Sequence, residues 1–189
     1  MSIEDKIYEE VKNRCSQDTN VFGIESWYHH IELVYKIAKK YAKEYKADEE
    51  IVSLAALLHD IASVTNEDYV EEHHVIGSSI AEELLTELNY PSDKIKQIKN
   101  CILHHRGSKV FEKNTPEEVC IADADAMAHF YSIPSLFRLA FDVKGLSVDD
   151  GTTFVINKLQ RSYNKLSDKG KELIKPYYDS EQLLLLRKW

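Results

Sequence analysis

Glycine and proline are scarce in this chain, with 6 and 4 among its 189 residues. Both residues interrupt periodic backbone, so their scarcity argues against many short strands and tight turns and favours long helices. Cysteine is scarcer still. Cys15, Cys101 and Cys120 form no Cys-x-x-Cys pair and leave an odd number, which fits a reducing compartment better than a disulfide scaffold. No apolar run approaches the roughly 20 residues of a membrane-spanning helix. The opening MSIEDKIYEE is acidic and amphipathic, without an apolar signal region. Cytoplasm is therefore the expected compartment. An excess of positive charge is also missing. With 24 Lys and Arg against 32 Asp and Glu, the net charge is -8, which offers no basic face to duplex nucleic acid or an anionic membrane. A small phosphorylated ligand stays admissible, because a metal ion can supply positive charge locally.

What the chain does have is helical period. Its length suits one domain with a continuous core. Ile3, Ile7 and Val11 read as a first helix. Ser26 reads as the cap of a second, whose inner stripe is Ile31, Val34, Ile37, Ala38 and Tyr41. Asp48 caps a third through Ile51, Leu54, Ala55 and Leu58. A fourth runs from about His73 to Leu88 and stops at Asn89-Tyr90-Pro91. Ser92-Asp93 starts a fifth, carrying Ile95, Ile98, Cys101 and Ile102 to His104-His105 and Gly107. Residues 107–115 read as a polar loop. Thr115-Pro116-Glu117-Glu118 combines a capping hydroxyl, a first-turn proline and acids against the helix dipole. Helices from Pro134, Asp149 and Ser167 complete the pattern. No alternating strand run, repeat or linker interrupts it. The expected fold is all-α, one domain over 1–189, with residues 134–189 packing on the rest.

Four helices carry a histidine or aspartate where the period calls for core: His29-His30-Ile31, Leu58-His59-Asp60, Leu103-His104-His105 and Asp123-Ala124-Asp125-Ala126-Met127. An ionised carboxylate buried without a partner is costly, so such groups pair or bind metal. His59 and Asp60 stand about 100° apart on a helix, and both reach one ion if the helix end points at it. A His from the preceding helix and an Asp from a later one would complete the shell. Two imidazoles and two carboxylates suit a divalent ion of Mn, Fe, Ni, Co or Zn, with Mg less favoured by the nitrogens. A single His-Asp dipeptide is more often a helix-end hydrogen bond. The recurrence in four helices is what lifts the metal reading above that.

In this order the residues resemble the HD superfamily of metal-dependent phosphohydrolases. His30-Ile31-Glu32-Leu33-Val34 resembles the first His motif and His59-Asp60 the doublet. The later features resemble a subgroup of small bacterial HD hydrolases: His73 before Gly77-Ser78, Ile102-Leu103-His104-His105, Thr115-Pro116-Glu117 and Asp123-Ala124-Asp125. The resemblance spans about residues 25–130. It implies an HD-domain helical bundle with metal ligands His30, His59, Asp60 and one of Asp123 and Asp125. Positions i and i+2 of a helix point about 200° apart, so both aspartates should not share one ion. Asp125 matches the family's last aspartate better, which leaves Asp123 behind the ligands or on the substrate side. His29 is the rival of His30, whose spacing to Val34 fits better. His73 and His105 would line the cleft as acids, phosphate contacts or ligands of a second ion, with His74 and His104 outside it. Trp27 and Tyr28 read as core or cleft wall.

Two arginines common in the family are absent, with Leu33 and Ala126 in their places. Either the substrate differs, or Arg106, Lys109 and Lys113 of the polar loop hold phosphate instead; simple solvation explains that loop equally well. The resemblance implies hydrolysis of a phosphate ester or anhydride, in a nucleotide, by a metal-activated water. Asp60, Asp123, His73 and His105 are the candidate catalytic groups. A pyrophosphohydrolase and a phosphomonoesterase both fit. The missing arginines motivate an alternative, a sensor that binds metal and nucleotide without turnover, and a purely helical interaction protein is a third reading. The last segment, 181–189, is apolar all round and would dock on its own domain or form a homodimer contact.

Overall fold

Ser2 opens the first helix with a reciprocal cap: its hydroxyl accepts from the Asp5 amide while Asp5 accepts from the Ser2 amide. In this computed structural model the described residues are 1–106 and 112–185, without the side chains of 181–184. Helix α1 (Ile3–Cys15) buries Ile7, Val11 and Cys15. The chain then turns at Asn20, whose side-chain amide donates to the carbonyls of Cys15 and Gly23. Ser26 does not cap the next helix, contrary to the expectation. Its backbone is already helical and its hydroxyl donates to Gly23 O. A π-helical turn (Trp27–Ile31) follows and runs into α2 (Glu32–Tyr45).

Asp48 caps α3 (Glu49–Leu58) by accepting from the amides of Glu50 and Ile51. Residues Ile51 to Leu58 are buried without exception, because α3 packs between α1, α2 and two later helices, α6 (Ser92–His104) and α7 (Pro116–Tyr131). After His59-Asp60 the chain makes a short α4 (Ile61–Thr65) and a 3-10 turn (Glu67–Tyr69). Helix α5 (His73–Glu87) pairs with α6 across the Asn89 turn, where Asn89 has φ 55°. Thr115 and Pro116 start α7 as the sequence suggests, with the Thr115 hydroxyl accepting from Glu118 N. Of the segment expected to be a loop, 107–111 lie outside the described residues.

Helix α7 is the central element, buried along most of its length and touching α2, α3 and α6. A short α8 (Ile133–Arg138) leads through a second π-helical turn (Leu139–Val143) to α9 (Val148–Lys165) and α10 (Asp168–Leu185). Both α9 and α10 pack on α7. The Tyr163 and Tyr178 rings stack at 3.7 Å where α9 meets α10. Buried apolar residues form a continuous cluster from Ile7 to Ile174. The fold is all-α, with no strand among the described residues. Among those residues no helix is long and apolar enough to cross a membrane.

Candidate metal centre

The doublet sits where one helix stops and the next begins. His59 ends α3, and Asp60 leaves helical geometry at φ −110°, ψ 15° before α4 resumes, a backbone region common at functional sites. The π-helical turn at Trp27–Ile31 adds a residue to one turn, a device frequent at such sites. There it separates neighbours with different fates. Trp27 is buried against Tyr8, whereas Tyr28 is exposed. His29 pairs with Glu25 at 3.0 Å on the surface. His30 turns inward.

Three histidines share one anchoring pattern. His59 Nδ1 donates to Ala56 O at 2.7 Å, His73 Nδ1 to Val70 O at 2.7 Å and His105 Nδ1 to Ile102 O at 2.6 Å. A carbonyl only accepts, so each Nδ1 carries a proton, and a neutral ring held this way presents its Nε2 lone pair. These nitrogens converge. His30 Nε2 lies 3.2 Å from His59 Nε2, 3.2 Å from Asp60 Oδ2 and 3.4 Å from Asp125 Oδ1. The other Asp60 oxygen, Oδ1, is 3.5 Å from His73 Nε2 and 3.7 Å from His105 Nε2. Those two nitrogens stand 3.3 Å apart.

Lone pairs facing at that distance repel unless something positive lies between them. The donors fit a divalent ion. At ordinary bond lengths of about 2.1 Å, ligands at right angles on one ion are about 3 Å apart, close to the spacing of the His30, His59 and Asp60 atoms. Three donor groups form, each with ligand atoms within 4.8 Å of one another: His30–His59–Asp60, His30–Asp125–His129 and Asp60–His73–His105.

The protonation states also suit metal binding. Burial opposes ionisation of Asp60, but His59, His105 and His30 outweigh it and hold the carboxyl well below its ordinary range. For Asp125 burial is likewise outweighed, by Lys165, His129 and His30. Burial pushes His59 down to about 4 and His129 well below its ordinary value. Carboxylates ionised and imidazoles neutral are the forms a cation takes up without displacing protons.

The structure does not bring Asp123 to this cluster. Its side chain points away from Asp125, as two residues of helix dictate. It accepts from Tyr45 Oη at 2.7 Å, from Ser167 N at 3.0 Å and from the Ser167 hydroxyl. A catalytic place for Asp123 is corrected on that geometry: it ties α7 to α2 and to the start of α10. His104 turns to Glu118 at 2.7 Å, and His74 is buried beside α5's start. Arg106 reaches the cleft but bonds the Glu71 carbonyl and, at 3.1 Å, its carboxylate. Lys113 does not line the cleft, and Lys109 lies outside the described residues.

Four cleft residues escaped the sequence reading. His129 stacks on His30 with centroids 5.3 Å apart, and its Nδ1 is 3.0 Å from Ser162 Oγ. Its spacing of four from Asp125, one helical face, was an available signal. Lys165 pairs with Asp125 Oδ2 and donates to His105 O at 3.2 Å. Lys158 lines the cleft together with Ser162 and Lys165. The cavity holds about 530 Å³ and is walled by apolar groups that include Phe22, Leu136, Leu139 and Phe154.

The family model of the HD domain matches residues 27–129. The chain belongs to the HD domain family. HD domains bind divalent metals and form a family of metal-dependent phosphohydrolases, and this HD domain presents clusters of the matching chemistry. No curated protein matches the sequence. Among solved structures, Bacillus subtilis YpgQ in complex with ADP is similar, with a TM-score of 0.66 and 20% identity over 96% of this chain and 97% of that one. Another YpgQ structure gives a TM-score of 0.70 at 17% identity, covering 98% and 95%. A predicted HD superfamily hydrolase from an uncultured Thermotogales bacterium gives 0.57 at 17% identity, covering 93% and 91%. At these identities the likeness speaks for the fold.

Proposed function

We propose that this HD domain hydrolyses a phosphate ester or anhydride of a nucleotide, with a divalent ion held by His30, His59, Asp60 and Asp125. One observation carries the reading: His30 Nε2 lies 3.2 Å from His59 Nε2 and from Asp60 Oδ2 and 3.4 Å from Asp125 Oδ1, at the wall of a cavity. The mixed nitrogen and oxygen donors favour Mn, Fe, Ni, Co or Zn over Mg. When bound, the ion would acidify a water and draw charge from the phosphoryl oxygens. Asp60 serves two neighbourhoods, with Oδ2 toward His30 and His59 and Oδ1 toward His73 and His105. His73 and His105 face one another at 3.3 Å beside Asp60 Oδ1, and either Nε2, once protonated, is placed to give its proton to the leaving oxygen. Lys165 fixes the Asp125 carboxylate so that Oδ1 faces His30. Apolar walls accept the nucleoside and exclude water. The ADP complex of YpgQ, a protein of similar fold, supports a nucleotide ligand.

The test is a nucleotide panel with Mn²⁺, Co²⁺ or Mg²⁺, with the released orthophosphate or pyrophosphate identified. His59→Ala and Asp60→Ala should each lower turnover by about a hundredfold or more. His73→Asn should slow alkyl phosphates more than p-nitrophenyl phosphate, whose leaving group needs no proton. Activity indifferent to chelator and to both alanine substitutions would contradict the reading.

A further inference from the structure

We infer that Lys158, with Arg161 beside it, is the subsite for a second phosphate of the substrate, distinct from the phosphoryl group that reacts. The inference rests on the hydrolase reading for the place of the reacting group, but its residues are different ones. Most cations lining the cavity are already engaged. Lys165 is paired with Asp125 and Arg106 with Glu71. Arg138 donates to Phe22 O at 3.0 Å and lies 3.9 Å from Asp142, and Lys144 sits over the Phe154 ring at 5.6 Å. Lys158 is different. It lies half-buried in the cavity wall, with no carboxylate, carbonyl or hydroxyl bonded to its ammonium among the described residues.

A half-buried ammonium that faces a cavity without a bonded counter-ion favours an anion there. An anion from outside the chain would be that partner. A purely structural role as counter-ion to Asp125 is already filled, since Lys165 takes Oδ2 and His30 faces Oδ1. Position also fits. Lys158, Arg161 and Lys165 recur at i, i+3 and i+7 on α9, and all line the cavity. At 1.5 Å rise per residue the backbone positions of Lys158 and Lys165 are about 10 Å apart along the helix, and the Lys158 ammonium stays within electrostatic reach of Asp125 and His129. One face of α9 therefore leads from the reacting centre to an unpaired cation. Arg106 does not supply this charge while bound to Glu71.

The experiment is calorimetric titration of the metal-loaded protein with methylenediphosphonate, which is not hydrolysed, and with orthophosphate. Wild type should bind the diphosphonate about tenfold or more tightly than orthophosphate. Lys158→Gln should weaken the diphosphonate by about tenfold or more, as loss of a charged hydrogen bond implies, and leave orthophosphate within about twofold. Lys158→Arg should retain the preference. Thermal melting should show Lys158→Gln no less stable than wild type, because the substitution breaks no hydrogen bond or ion pair among the described residues. Metal content should be unchanged. Equal binding of the diphosphonate by wild type and Lys158→Gln would overturn the subsite, as would equal weakening of both anions or no preference in wild type. If the diphosphonate preference depends on Lys158 while no phosphate compound is hydrolysed, the subsite stands and the hydrolase reading fails.

Discussion

His59 concentrates the chemistry of the site in one side chain. Its ring is fully buried, its Nδ1 is given to a backbone carbonyl and its Nε2 meets His30. Burial holds the folded imidazole at about 4, against 6.5 for a free one. Between those values the unfolded chain binds the extra proton, so stability rises with pH and is lost as pH falls from about 6.5 toward 4. For His59 alone, the metal-free protein should be about 2 kcal/mol less stable at pH 5 than at pH 7. His129 acts in the same direction. The depressed carboxyls of Asp60 and Asp125 lose their contribution only at lower pH. Urea denaturation of chelator-treated protein at the two pH values measures this, and equal midpoints would contradict it.

At the scale of elements, helix ends and turns place the candidate site residues. Asp60 sits in the break between α3 and α4, His105 just past the end of α6, and His30 in the π-helical turn before α2. Asp123 works elsewhere, at the joint of α7, α2 and α10. A Cβ on Gly170 would lie 2.5 Å from Asp123 Oδ2, so the glycine lets α10 approach the carboxylate. Tyr45→Phe removes one donor from this buried group and should cost about 2 kcal/mol in a denaturation curve. Metal content should not change, because the joint is separate from the cluster. Starts carried by strong caps were legible, as Asp48 and Thr115-Pro116 show. Ser26 was not, because a capping residue type does not reveal that Asn20 and Gly23 occupy it. His30, His59, Asp60 and Asp125 stood out as polar breaks in apolar stripes. His129 had a local signal in its spacing of four from Asp125, whereas Lys165 had none: its place depends on how α9 folds back on α7.

Across the whole molecule, an acidic chain of net charge -8 gathers Lys158, Arg161 and Lys165 on one wall of its cavity. The family match ends at residue 129, yet α9 supplies Lys158, Ser162 and Lys165 to the same cavity. The later helices thus shape the cleft as well as pack on the core. Everything proposed for the reaction depends on a cation shared by His30, His59, Asp60 and Asp125. Elemental mass spectrometry of protein purified without chelator and supplied with Mn²⁺, Co²⁺ or Zn²⁺ tests that most directly. Wild type should retain about one equivalent of divalent metal at the His30 and His59 end, and His59→Ala should retain less than about a tenth of it. A folded wild-type protein that holds no metal, or a His59→Ala variant that holds as much as wild type, would contradict the account.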